Sequence, residues 1–446
     1  MVFQQLLLLI LATTGFFGAE GYDSFDPDAN ITIKWDIMSR TADGYIAHVG
    51  LYNYQRYRHI RAPGWSIGWT WPKKEVIWSM LGAEATERGD CSSFKDAIPH
   101  NCEQTPTLID LMPGAPYNQQ VRSCCKGGVL RSWVQNGAPD VAFFTMTVGQ
   151  SETTDRDVRL PTNFTLKAPG LGYTCGSVSI VEPTKFPTAD KRRVAQALMT
   201  WNVTCTFSPF IARKMPTCCV SLSAFYDSNI ASCPTCSCGC PSNTSSPQIC
   251  AERDAMNRFE PLVRCSDHMC PIRIHWHIMM NYKKYWRVKV TITNFHYRMN
   301  YSDWNLVIQH PNFNDMARSF SFNYKSPSLY GTNDIVVLWG INFFNDILLQ
   351  SGPNGYIQTE LLFYKDQATF TLEDGWAFPR AVLFDGDYCQ MPPPDIYPSL
   401  PKIEAKLYYS SISVIVAAIV ISVVIIFVTV YVSQIDCQLV CEQVHC

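Results

Sequence analysis

From Asn30 onward the chain breaks into short runs in which alternate residues are β-branched or aromatic, each bounded by Gly, Pro, Asp or Asn. NITIKWDIM (30–38), YIAHVGLYNY (45–54), GWSIGWTW (64–71), EVIWSMLG (75–82) and VAFFTMTVG (141–149) form a first set. A second set comprises CCVSLSAF (218–225), IRIHWHIMM (272–280), YWRVKVTITNF (285–295), DIVVLWGI (334–341), YIQTELLFYK (356–365), ATFTLED (368–374) and RAVLFDG (380–386). A two-residue period sends successive side chains to opposite faces of a sheet. Turn residues recur too closely for alternating β and α units, so the pattern predicts an all-β chain of two antiparallel β-sandwich-like domains, 22–166 and 167–390. The turn-rich KAPGLGYTCG (167–176) opens the second. Only ADKRRVAQALMTW (189–201) has a helix-like start. MPPPDIYPSLP (391–401) reads as an extended, proline-rich stalk leading through 391–411 to the terminal apolar run.

The ends of the chain set its compartment. MVFQQLLLLILATTGFFGAEG has a short apolar core and small residues before Tyr22, the pattern of a secretory signal peptide over 1–21, although no Lys or Arg precedes the core. Asn-X-Ser/Thr acceptors at Asn30, Asn163, Asn202, Asn243 and Asn300 suit a glycosylated lumenal chain with each Asn exposed. At the other end, 412–432 is uncharged over 21 residues, long enough to cross a bilayer, and is followed by the polar SQIDCQLVCEQVHC. Lys402 and Lys406 precede the span and no Lys or Arg follows it, which inverts the preference of a type I membrane protein and favours a cleaved glycolipid-anchor signal. The fourteen-residue polar extension favours a retained transmembrane helix instead. Attachment-site candidates are Ser399, Ala405, Ser410 and Ser411.

In that compartment the cysteines read as disulfides. Sixteen of the nineteen lie ahead of the terminal segment: Cys91, Cys102, Cys124, Cys125, Cys175, Cys205, Cys218, Cys219, Cys233, Cys236, Cys238, Cys240, Cys250, Cys265, Cys270 and Cys389. An even number on the oxidising side allows up to eight bridges. The adjacent pairs Cys124–Cys125 and Cys218–Cys219 are expected to reach different partners, because so short a ring disfavours disulfide geometry. CPTCSCGC (233–240), with Cys218 and Cys219 as nearby partners, reads as a disulfide knot rather than a metal or redox cluster.

A net charge of −2 with 17% charged residues lacks the basic footprint that binding to nucleic acid requires. The strongest binding candidate is GWSIGWTW. As a strand it places Trp65, Ile67, Trp69 and Trp71 on one face, where three indoles could stack on the C–H faces of sugar rings or could instead be sheet core. Tyr45 and Trp35 are second-tier candidates, and Tyr52 and Tyr54 share a face that could also be core. QRYRHIR (55–61) reads as a solvated basic edge, with contact to acidic polysaccharide or a membrane surface as the alternative. His275 and His277 share a strand face, but no third ligand accompanies them, so no metal is assigned. No HExxH pattern occurs, and the mature start lacks the histidine of oxidative polysaccharide-cleaving enzymes, so the chain reads as a non-enzyme without a cofactor.

NITIKWDIMSRTADGYIAHVGLYNYQRYRHIRAPGWSIGWTWPKKEVIWSMLGAEATERGDC, PYNQQVRSCCKGG, HMCPIRIHWH, YWRVKVTITNFHYRMNY and GWAFPRAVLFDGDYCQMPPPDIYP together resemble the COBRA family of plant cell-wall proteins, from Tyr22 to about Pro398. The resemblance implies a glycolipid-anchored protein at the outer face of the plasma membrane and adjoining wall. It further implies a carbohydrate-binding-module-like first domain that associates with cellulose and a role in oriented microfibril deposition and anisotropic expansion. On that footing Trp65, Trp69, Trp71, Tyr45 and Trp35 are expected to contact cellulose or nascent glucan. Two positions depart from the family pattern. Arg40 stands where the family commonly has Trp, which implies weaker or redirected binding, and the usual Asn-Gly or Asn-Ser anchor pair is missing from PSLPKIEAKLYYSS.

Overall fold

The computed structural model describes residues 23–135, 137–150, 158–169, 171–187, 192–212, 217–234, 249–253, 259–264, 271–281, 284–295, 300–310, 313, 316–326, 334–341, 343–344, 348, 355–364, 377–400 and 406–442. The expected signal peptide, Asn243, Cys236, Cys238, Cys240, Cys265, Cys270, Ala405 and the ATFTLED run lie outside them.

The fold is all-β. In the first unit the strands are β1 (Ile31–Arg40), β2 (Tyr45–Asn53), β3 (Ser66–Thr70), β4 (Val76–Leu81), β5 (Ala83–Ala85), β6 (Thr107–Asp110) and β7 (Asp140–Gly149). They continue with β8 (Thr162–Lys167), β9 (Tyr173–Cys175), β10 (Ser179–Val181), β11 (Lys185–Pro187), β12 (Val194–Gln196) and β13 (Met199–Phe207). One sheet runs β10-β13-β1-β2-β7-β4, with β9 also on β13, and a second runs β5-β6-β3-β8. The β11–β12 hairpin stands apart from both. Alternation decides which face is buried. Ile31, Ile33, Trp35 and Ile37 of β1 and Tyr45, Ala47, Val49 and Leu51 of β2 are almost wholly buried, each aliphatic side chain contributing about 1.5–3 kcal/mol.

The sheet registers move one boundary and one element. β13 pairs along β1 from Ile31↔Cys205 to Ile37↔Met199, so strands beyond residue 167 belong to the first sandwich. The helix-like 189–201 segment contributes β12 and the start of β13 over its described part. The local helix preference of RRVAQAL yields to pairing of Val194–Gln196 with β11, while Met199 onward pairs with β1 and buries Trp201, Val203 and Cys205 at the two-residue period.

The second unit holds β14 (Cys218–Ala224), β15 (Asp227–Ala231), β16 (Ile249–Arg253), β17 (Phe259–Arg264), β18 (Ile272–Asn281), β19 (Tyr285–Asn294) and β20 (Asn305–Gln309). After these come β21 (Met316–Ser319), β22 (Phe322–Lys325), β23 (Ile335–Gly340), β24 (Tyr356–Tyr364), β25 (Ala381–Phe384) and β26 (Asp387–Tyr388). Its sheets run β15-β14-β18-β19-β24-β21 and β22-β23-β20-β25-β26. β14 and β18 pair in parallel, a departure from the antiparallel expectation that requires a long crossover between them. The stalk does not hang free. Val220 N–H donates to Gln390 O (2.9 Å) and Gln390 N–H to Cys218 O (2.9 Å). Met391, Tyr397 and Leu400 then pack on the second core. The terminal helix α1 (Lys406–Glu442) carries the apolar stretch Val414–Gln434, which no protein surface covers.

Five disulfides join described residues: Cys91–Cys102, Cys124–Cys125, Cys175–Cys205, Cys218–Cys389 and Cys219–Cys233. Cys218 and Cys219 reach different partners. Cys124 and Cys125 instead bridge each other, contrary to expectation. The Asp110 carboxylate accepts the N–H groups of Cys125, Lys126 and Gly128, each at 2.9 Å, and holds the loop in a turn where Cys125 has positive φ.

The two sandwiches meet in a built seam. Phe25, Tyr57 and Val134 of the first pack against Val307, Ile335, Val337 and Leu383 of the second. Beside them the QRYRHIR segment is an interface, not a solvated edge. Arg58 pairs with Asp387 and also donates to Gly386 O, its guanidinium 3.5 Å over the Phe207 ring. Arg61 pairs with Asp385 and lies 4.7 Å over the Tyr301 ring. His59 is held between Ser132 N–H (2.9 Å) and Asn305 (2.9 Å), and burial, aided by Arg61, lowers its pKa to about 3. Gln135 donates to the carbonyls of Asp303 and Trp304.

At the rim of the seam Asp26 accepts Arg56 N–H at 2.6 Å, and burial raises its pKa to about 7 against the lowering effects of that bond and the Arg56 charge. A raised carboxyl pKa stabilises the fold fully below the unfolded value, about 3.9, and this contribution is lost as pH rises through 7. Asp26→Asn, which keeps an acceptor for Arg56 N–H, is expected to match wild type at about pH 3.5, below the unfolded pKa. At about pH 8 it should be more stable than wild type by roughly 2–4 kcal/mol. Urea titrations at both pH values check this, and a pH-independent difference would contradict it.

Candidate functional site

The expected tryptophan strip is core. Trp35, Tyr45, Trp65, Trp69 and Trp71 are 0%, 1%, 1%, 2% and 2% exposed. Trp35 stacks on Trp201 (5.3 Å) and meets Trp69, Trp71 and Phe164 edge-on at 5.1, 6.2 and 6.2 Å, which fills the space between the two sheets. Ser66, Gly68 and Thr70 alternate with the indoles, so the polar face of that strand turns outward and the aromatic face inward. No sugar ring reaches these five residues in the fold. Arg40 is exposed at the end of β1.

The outer face of the same sheet carries a different set of rings. On β2 the inward phase is Tyr45-Ala47-Val49-Leu51, so His48, Gly50 and Tyr52 face out, and Tyr54 follows on the same side. Tyr52 and Tyr54 lie nearly parallel, centroids 6.2 Å apart at 16°. Phe143 of β7 stands edge-on to Tyr52 (5.8 Å) and stacks on His48 (4.9 Å, 21°). Phe186, from the β11–β12 hairpin, closes the row against His48 at 6.4 Å. Five rings therefore form one continuous ribbon. Gly50 makes it possible: a Cβ there would fall 2.6 Å from Phe143 Cε1 and 2.9 Å from Tyr52 Cε2, so the rings lean over bare backbone.

Polar groups border the ribbon. Thr32 and Lys34 of β1 pair across from Tyr52 and Gly50, and His48 Nδ1 shares a hydrogen bond with Thr145 Oγ1 at 3.0 Å. Burial lowers the His48 pKa, which leaves a neutral ring at neutral pH, and raises that of Tyr52 to about 12, which keeps its hydroxyl protonated. The rings themselves are uncharged, and hydroxyls, the Lys34 ammonium and the buried Asp36 carboxyl, which pairs across from His48 and accepts from Thr200 Oγ1, border them. Such a surface suits the apolar faces and hydroxyl rims of a sugar chain. His48, Phe143 and Phe186 were not legible as candidates, since they meet only across β2, β7 and the β11–β12 hairpin once the sheet has formed. The outward phase of Tyr52 and Tyr54 was available in the aliphatic alternation of β2.

The other predicted positions are dispersed. Asn163 and Asn300 are exposed. Asn30 is half-buried and donates to Asp28 O, and Asn202 lies mid-sheet with its amide oxygen shielded, so the expectation of exposed acceptors does not hold for these two. Ser399 is exposed, and Ser410 and Ser411 fall within α1. His275 and His277 bond to serines across the β14–β18 pair: Ser221 to His275 (2.7 Å), and Ser223 to both His275 (2.8 Å) and His277 (2.6 Å). Burial lowers both imidazole pKa values, that of His275 to about 4.

Comparison with known proteins places these features in a lineage. Residues 45–208 match the model of the COBRA N-terminal domain, and residues 217–259 and 248–398 match that of the COBRA family C-terminal domain. COBRA-like protein 1 of Arabidopsis thaliana is 58% identical over 408 residues, covering 89% of this chain and 90% of its own. Protein COBRA of Arabidopsis thaliana is 54% identical over 424 residues, covering 92% and 93%. COBRA-like protein 1 of Oryza sativa subsp. japonica is 57% identical over 402 residues, covering 88% and 90%.

Proposed function

The chain belongs to the COBRA family, and on that premise we propose a cell-wall protein of cellulose deposition and oriented expansion that binds glucan without cleaving it. The observation that carries the binding is the ribbon Tyr54–Tyr52–Phe143–His48–Phe186 on the outer face of the first sandwich. Successive rings offer stacking partners to a chain of β-linked sugars, while Thr32, Lys34 and the tyrosine hydroxyls take its hydroxyl rim. The apolar helix at the carboxyl end supports attachment at the plasma membrane, as a lipid-anchor signal or a retained span. Confinement to that surface raises the effective concentration of the binding face where new glucan appears.

The test is co-sedimentation of the protein with crystalline cellulose, competed by soluble cello-oligosaccharides, with reducing ends measured in the same samples. Saturable, competed binding without new reducing ends is expected. Failure to sediment would defeat the binding, and new reducing ends would identify a polysaccharide-modifying enzyme.

A further inference from the structure

The end of the second sandwich where the chain leaves for α1 carries an exposed aromatic rim. β14 runs from the seam, where Thr217 Oγ1 donates to Asp387 Oδ2 and Cys218 bonds Cys389, toward a tight turn at Phe225–Tyr226. Seven residues of strand make that distance about 20 Å. Phe225 is 72% and Tyr226 42% exposed, their rings edge-on at 5.9 Å. The registers bring further strand ends to the same level. β18 ends here and returns through Lys284 into β19, and Tyr285 pairs with Tyr364 of β24, ring centroids 4.8 Å apart and Tyr364 48% exposed. Three strand spacings, about 14 Å, separate β14 from β24.

The docked stalk brings the exit to this rim. Ser399 N–H donates to Asp227 Oδ2 at 2.6 Å, and Asp227 directly follows the Phe225–Tyr226 turn. From Leu400 to Lys406, the first residue of α1, six residues reach at most about 20 Å. This end of the sandwich is thereby tethered within that distance of Lys406, and the apolar stretch of α1 begins at Val414, about 12 Å further along the helix. Tyrosine and phenylalanine with an adjacent lysine are the side chains that settle at the headgroup level, where one end of the ring is apolar and the other wet.

We propose that the Phe225–Tyr226 tip, with Lys284, Tyr285 and Tyr364 beside it, seats on the lipid headgroup layer of the bilayer that holds the chain. The second sandwich then stands on the membrane as a base rather than swinging on its tether, and β14 sets the seam away from the lipid. This inference rests on the membrane attachment proposed above, and its test separates the two.

The full chain, with α1 intact, is inserted into phosphatidylcholine–phosphatidylserine vesicles with a photoreactive benzophenone amino acid replacing Phe225, Tyr117 or Phe427 in turn. Tyr117, 92% exposed on the first sandwich, reports background, and Phe427 reports insertion of α1. Near-ultraviolet circular dichroism checks folding of each variant. Lipid adducts at 225 at least tenfold above those at 117, alongside adducts at 427, are expected. Adducts at 427 with 225 at the level of 117 overturn the docked tip alone. No adducts at either 225 or 427 overturn the tip together with the membrane attachment.

Discussion

Trp35→Ala is expected to lower the stability of the first sandwich by about 3–5 kcal/mol, a fifth or more of what a domain of this size commonly has. Trp35 comes from one sheet with Trp201, while Trp69, Trp71 and Phe164 come from the other side, so its removal opens a void that neither sheet can close alone. The urea midpoint should fall, with glucan binding declining only as far as the folded fraction does. A variant of unchanged midpoint that has lost binding would return the indoles to the role of a sugar platform.

The second large effect concerns the seam. Arg61→Ala leaves Asp385, 2% exposed at its side chain, with Asn305 N–H at 2.7 Å and His59 at 3.6 Å but without its guanidinium. Burial already raises the Asp385 pKa to about 6 despite the Arg61 charge, so loss of that charge strands a buried carboxylate. A cost of about 3–5 kcal/mol follows at neutral pH. The transitions of the two sandwiches are expected to coincide in wild type and to separate in Arg61→Ala, because the seam then rests on Arg58–Asp387, the Gln135 bonds and the apolar contacts of Phe25, Tyr57 and Val134. Arg61→Lys should fall between, since it keeps charge but loses the planar fork. Coincident transitions at the wild-type midpoint in Arg61→Ala would show that the pair does not couple the units.

Much of this architecture was legible. The strands of both sandwiches follow the two-residue alternation, and β1, β2, β7, β18 and β19 lie where that period places them. Three features were not, each for a physical reason. GWSIGWTW has the right spacing for a binding strip, but spacing does not say which way a face points. Ser66, Gly68 and Thr70 between the indoles did, since a sandwich buries the more apolar side. QRYRHIR looks like a solvated edge because its partners, Asp385, Gly386 and Asp387, lie more than 320 residues away in sequence. The vicinal Cys124–Cys125 bridge depends on a loop shape set by Asp110, which local ring arguments do not contain. The ribbon draws its rings from β2, β7 and the β11–β12 hairpin, so it exists only once the sheet has formed.

Cellulose binding by Tyr52→Ala/Tyr54→Ala, measured beside wild type and Trp69→Ala with urea stability in parallel, tests the outward face most directly. The double variant should lose about 2–3 kcal/mol of binding, roughly thirtyfold or more, while its stability stays within about 1 kcal/mol of wild type. Trp69→Ala should lose stability first, with binding following the folded fraction. Undiminished binding by a folded Tyr52→Ala/Tyr54→Ala protein would contradict the assignment of glucan recognition to this face.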